Sequence, residues 1–211
     1  MAKIRLATFN PLCFNSLGRK VLSDNKQLDP YRDGSIRPEP SFEHDYPGIS
    51  SLCRKSKLAP KLNKGDIVIY LSKKGYYDKK IKHWKLVAVL LVEETMVSHE
   101  EAATWYTNNN FQLPKNIVVN RNAPLTFNLS NFNKKHAKMA SIDYNSRASK
   151  YPQYNICEVV YRNTKNPPPI YEQDLFQIYE RIPGTQNPCN SPKSNKKTTY
   201  TNLKLLVSLI I

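Results

Sequence analysis

The chain has 211 residues, 40% of them hydrophobic and 10% aromatic, which is enough apolar surface for one sizeable core and too much for a disordered polymer. Lys and Arg total 32 against 17 Asp and Glu, giving a formal charge of +15 and a pI near 9.6, a balance that excludes an acidic or neutral surface and attracts polyanions. Nucleic acid is the leading partner class, with a merely solvated basic surface or attraction to an anionic membrane as the competing readings.

The opening "MAKIRLATFNPL" has no long apolar h-region, so no secretory leader is expected and the location is read as cytoplasmic, or nucleoid-associated in a bacterium. Within it "KIRLATF" alternates Ile4 and Leu6 with Lys3, Arg5 and Ala7, the pattern of a strand with one buried face. From Asn10 to Ser50 prolines 11, 30, 38, 40 and 47 interrupt the chain and no period is sustained. A stretch of that length is a functional loop or a disordered one, and Phe14, Tyr31, Phe42 and Tyr46 argue for order.

"NKGD" (63–66) is a turn signal that leads into a buried strand, Ile67 to Leu71. "HWKLVAVLLVEE" (83–94) is a second, longer strand, joined to the first by the hairpin connection "KKGYYDKK". Ser98 with Glu101 three residues later makes a capping box for a helix through about Asn108. "NIVVN" (116–120) and "NICEVVY" (155–161) read as further strands, separated by a basic, Asn-rich surface excursion. After "NPPP", Ile170, Leu175, Ile178 and Ile182 stand at near-helical spacing and predict an amphipathic helix stopped by Pro183 and Gly184. The organisation expected is a single domain over 1–183, a basic flexible linker over 184–202 and a C-terminal apolar segment over 203–211 packed on the core. That last segment is too short to span a bilayer.

These elements predict an α+β fold, a mainly β barrel-like sheet with peripheral helices and long functional loops. Cys13, Cys53, Cys157 and Cys189 have no zinc-type spacing, and no metal, cofactor or obligate protein partner is expected. GxGxxG, P-loop, HExxH and GxSxG signatures are absent.

The ordered run "YRDGSIRPEP", "YPGISSLCRKSKLAPKLNKGDIVIYL" and "HWKLVAVLLVEE" resembles the nucleotide-modification-associated domain proteins of the PUA-like group, related to ASCH, EVE and YTH domains. The resemblance covers roughly residues 32–94. It implies a β-barrel with a pocket for a nucleobase, commonly a modified one, in DNA. A pocket of that kind needs an aromatic wall, polar groups for the base edge and cations for the flanking phosphates. Tyr31, Phe42 and Tyr46, with Trp84 as a further candidate, are the wall expected here, each of them equally suited to pinning a loop to the core. Three groups are the phosphate candidates: Arg54, Lys55, Lys57, Lys61 and Lys64 before the central strand; Lys73, Lys74, Lys79, Lys80 and Lys82 after it; and Lys134, Lys135, Lys138 and Arg147 later.

Two activities fit the same pocket: reading a modified, flipped-out base, or excising it as a DNA glycosylase. Excision adds a carboxylate that activates water or steadies an oxocarbenium-like sugar. Asp33, Glu43, His44 and Asp45 are the acid-base candidates, although neighbours within "FEHDYP" point to opposite faces and do not all converge. A non-catalytic RNA-binding protein is the remaining alternative.

Overall fold

The computed structural model describes residues 3–53, 55–125 and 134–174, with the side chains of 134–137 outside the description. Strand β1 (Ile4–Phe9) is buried at every residue rather than on one face. The reason lies in its neighbours. β1 pairs in parallel with β3 (Ile67–Ser72), and both carry apolar side chains to two cores, Ala7, Phe9, Val68 and Tyr70 on one face and Ile4, Leu6, Ile67 and Ile69 on the other.

β3 turns back through residues 73–83 into β4 (Trp84–Met96), the antiparallel hairpin expected from the sequence. β4 pairs along its length with β5 (Tyr154–Arg162), and β5 holds the short β2 (Gly48–Ile49) at its outer side. The order is β1-β3-β4-β5-β2, with β6 (Pro169–Ile170) on the first residues of β4. Register shifts between Val89 and Leu90 and between Val92 and Glu94 bend the long strand, and the mixed sheet curls into a half-barrel. The fold is α+β with the sheet dominant.

The "NKGD" turn has the predicted form: Gly65 takes a left-handed φ of 86° that a side chain would strain. Asp66 does more than turn the chain. Its buried carboxylate accepts from the Lys3 N–H (2.8 Å) and the Asn63 N–H (3.2 Å) and lies 3.9 Å from the Arg5 guanidinium, tying the starts of β1 and β3 together.

Four elements differ from expectation. Helix α1 (Ser16–Asp24) lies inside the proline-rich stretch, capped by Asn15, whose side chain accepts from the Gly18 N–H at 2.7 Å. The Asn-rich excursion contains α3 (Lys134–Lys150), while α2 (His99–Asn108) begins where Ser98 predicts. "NIVVN" is not a strand. Arg37 donates to the carbonyls of Lys115, Ile117 and Asn122, His99 Nδ1 accepts from the Val118 N–H, and Asn122 donates to the Pro114 and Ile117 carbonyls. Side chains thus satisfy backbone groups that a strand would pair laterally.

Pro167 and Pro168 each precede a proline and are driven to extended conformations, and Ile170, expected to open a helix, instead continues that run as β6 by pairing with Trp84. Helical backbone does begin in that segment, at residues 172–174, where the Asp174 carboxylate accepts from the Tyr171 N–H at 2.8 Å; residues 175–182, the linker over 184–202 and the segment over 203–211 lie outside the described residues.

Candidate nucleic-acid interface

At the end of the sheet where β1, β3 and β5 finish and β4 begins, three connections diverge: residues 10–31, residues 73–83 and the turn after β5. Between them lies an open cleft of about 920 Å³. Its walls carry Phe14, Tyr31, Tyr76 and Tyr77, its cations are Arg19, Lys74, Lys82, Lys85 and Lys165, and Asp78 is its one carboxylate among the described residues.

The aromatic wall is internally braced. Tyr77 packs between Tyr31 (5.6 Å, tilted) and Phe14 (6.3 Å) and donates to the Lys73 carbonyl. Burial raises the phenols of Tyr31 and Tyr77 above their ordinary range, so both remain neutral donors. Cys13 behind them is raised to about 11 by burial and stays a thiol. Tyr76 is different. It is 66% exposed, with Lys82 Nζ 5.3 Å from its ring centre, a free aromatic face under a cation.

The cations are held unequally. Lys74 pairs with Glu172 and lies 4.6 Å over the Trp84 ring. Arg19 donates to the Cys13 and Phe14 carbonyls at the cleft edge. Lys85 is buried and donates to Asp78 at 3.0 Å, and that hydrogen bond holds the Asp78 carboxyl below its ordinary range.

Of the residues nominated from sequence, Tyr31, Lys74 and Lys82 line this cleft. Phe42 is fully buried, its ring against Phe9 (5.1 Å) and Tyr70 (5.3 Å) in the core. Trp84 is buried at the start of β4 in the opposite core. Tyr46 packs on Trp105 and Phe111 beside α2, and its carbonyl accepts from Tyr106 at 2.6 Å.

The acid-base candidates do not converge. Glu43 pairs with Arg32 at 2.7 Å, and Asp45 is exposed at the tip of its loop. His44 has both ring nitrogens engaged, Nε2 donating to the Gln112 carbonyl (2.7 Å) and Nδ1 accepting from the Tyr46 N–H (3.0 Å), which makes it a neutral pin between the loop and the end of α2. Arg162 closes the same loop by donating to the Phe42 and His44 carbonyls. Asp33 points inward, accepting from the Ser35 and Glu39 N–H groups, and desolvation raises its carboxyl.

Behind Asp33 is a carboxyl that sequence reasoning missed. Glu39 is 5% exposed and accepts from both the N–H and the hydroxyl of Ser50 at 2.6 Å. Desolvation raises it to about 7, with the Asp33 charge adding to the shift. Tyr144 of α3 caps this region, raised by burial and by the nearby Cys53 and Asp33.

Lys55, Lys57, Lys61 and Lys64 are exposed but lie before β3, at the end of the sheet remote from the cleft, and Lys64 pairs with Glu94 at 2.6 Å. Arg54 lies outside the described residues. Lys134 and Lys135 open α3, where side chains are outside the description, and Arg147 is committed to Asp143 and the Leu52 carbonyl. Much of the cleft lining comes from "KKGYYDKK", where tyrosines interleave with lysines around one acid.

Comparison with protein-family models, curated proteins and solved structures found no match to this chain. Among the described residues no helix is long and apolar enough to cross a membrane, and no cluster of metal-ligating side chains occurs.

Proposed function

We propose that this chain binds nucleic acid through the cleft at the β3–β4 hairpin, as a PUA-like domain that takes an unstacked, modified nucleobase of DNA against its tyrosines. One observation carries the reading: a 920 Å³ hollow that combines four aromatic rings, five cations and a single carboxylate. Pockets for small ligands span roughly 300–1,000 Å³, so a base with its sugar fits such a space. Tyr76 offers the exposed ring for stacking, Tyr31 and Tyr77 form the wall behind it, and Lys82 and Lys165 stand where flanking phosphates leave the cleft.

Binding is favoured over excision because the carboxylate in the cleft is engaged. Asp78 is bound to Lys85, and none of Asp33, Glu43 and Asp45 lines the hollow. A free base that activates water is not on hand there.

The test is a titration with single-stranded oligonucleotides carrying one modified base. Tyr76→Ala should weaken binding by about 1–3 kcal/mol, the worth of one stacked base, with thermal stability unchanged because the ring is exposed. Lys165→Ala should lower the salt slope by about 0.7 on single strands. Unchanged affinity in the Tyr76→Ala, Lys165→Ala double variant would remove the cleft from consideration.

A further inference from the structure

Lys85 lines the cleft, and His83 lies behind that lining with its ring 5.6 Å from those of both Tyr77 and Tyr171. Both side chains are buried, at 3% and 0% exposure, yet the anion that faces them, Asp78, is 53% exposed on a surface connection. A buried ammonium needs a counter-charge, and Lys85 takes it from Asp78 at 3.0 Å. His83 is less well served. Its Nδ1 stands 2.9 Å from the Ile81 carbonyl, which can only accept, so Nδ1 carries the proton. The other nitrogen, Nε2, is buried, lies 3.2 Å from Asp78 Oδ1 and makes no hydrogen bond.

We propose that the Asp78 carboxylate occupies the seat of a ligand phosphate, and that Lys85 Nζ and His83 Nε2 form a phosphate subsite which the incoming group takes over by displacing Asp78. The proposal rests on the cleft reading above and deepens it, naming the phosphorylated end of a nucleotide as what the subsite recognises. The chemistry favours exchange. A phosphate has more acceptor oxygens than a carboxylate, so it can meet the Lys85 ammonium and His83 Nε2 together, in a cleft that Lys82 and Lys165 also line. Asp78 leaves into water at little cost because it is already half exposed, on a connection between two strands. Until then it shields the buried ammonium and repels weakly held anions.

The test compares Asp78→Asn with Glu100→Gln, which removes the same charge at the first turn of α2, beyond the far end of β4. Probes are inorganic phosphate, thymidine 5′-monophosphate and thymidine. Asp78→Asn should raise affinity for the first two by about tenfold and leave thymidine unchanged, whereas Glu100→Gln should alter all three by less than about twofold. Replacing Lys85 by Met in the Asp78→Asn background should abolish the gain. An unchanged or weakened phosphate affinity in Asp78→Asn, or a gain matched by Glu100→Gln, overturns the proposal.

A measurement on the wild-type chain does not depend on any variant folding: the carboxyl carbon resonance of Asp78 should move as phosphate is added, and a static resonance at saturating phosphate contradicts displacement. Inorganic phosphate reads the subsite alone and the oligonucleotide reads the interface, so either can fail while the other stands.

Discussion

Glu39 shows how one residue can set the chemistry of its surroundings. Its carboxyl is buried beneath residues 50–52 and beside Asp33, and burial raises it from an ordinary 4.5 to about 7. The sign follows from proton linkage. The folded chain holds this proton more tightly than the unfolded chain, so the unfolded state binds fewer protons between those values and stability falls as pH rises from about 4.5 to about 7. Above that range the group is ionised in both states and its contribution is flat. The fall should be on the order of 3 kcal/mol, and Glu39→Gln, which keeps an acceptor for the Ser50 N–H, should remove it. Urea unfolding between pH 4 and about pH 8 reads the difference. Parallel curves for the two proteins would show that the folded chain holds this proton no more tightly than the unfolded one. His99 obeys the same physics with the opposite charge: burial lowers it to about 4, so it stays neutral and its Nδ1 can accept from the Val118 N–H.

At the scale of elements, the turn before β3 anchors two strands at once. Asp66 binds the N–H groups of Lys3 and Asn63 and faces the buried Arg5, whose Nη2 donates to the Lys61 carbonyl. Asp66→Ala removes a buried carboxylate that faces the Arg5 guanidinium and accepts from two backbone N–H groups, and should cost about 3–5 kcal/mol in urea unfolding. A loss under about 1 kcal/mol would mean that Asp66 only shapes the turn.

The strands were legible where apolar runs are continuous, as in β3, β4 and β5, because β-branched residues bounded by turn signals leave little ambiguity. α1 was hidden by Gly18 and by short polar flanks. α3 was hidden because Ala140, Tyr144 and Ala148, spaced four apart, make a narrow apolar stripe among polar residues. The reverse error at "NIVVN" has a clear cause. Ile117 and Val119 do reach the core beside α2, but Arg37, eighty residues earlier in the chain, supplies the hydrogen bond to the Ile117 carbonyl. A side chain so distant leaves no local trace in the segment it pins.

For the whole molecule, a net charge of +15 favours polyanions as partners without saying where an anion would sit. Sequence proximity favoured the lysines before β3, yet β3 carries the chain from that end of the sheet to the other, and the cleft opens at its finish. Tyr31 was reachable from sequence because it lies in the aromatic, proline-rich stretch. Tyr76, Asp78 and Lys85 were not singled out, because a hairpin connection looks like simple punctuation until β1, β3 and β5 are seen to end around it. The acid-base candidates suffered the converse fate: residues close in sequence, Glu43, His44 and Asp45, are spread by an extended loop into an ion pair, a hydrogen-bonded pin and an exposed tip.

The most direct test of the cleft as the nucleic-acid interface is an amide NMR titration of the full chain with a single-stranded oligonucleotide. Shifts should concentrate at residues 13–19, 73–85 and 165–166 and saturate together. Shifts confined to residues 55–64, at the opposite end of the sheet, or no shifts at all, would contradict the account.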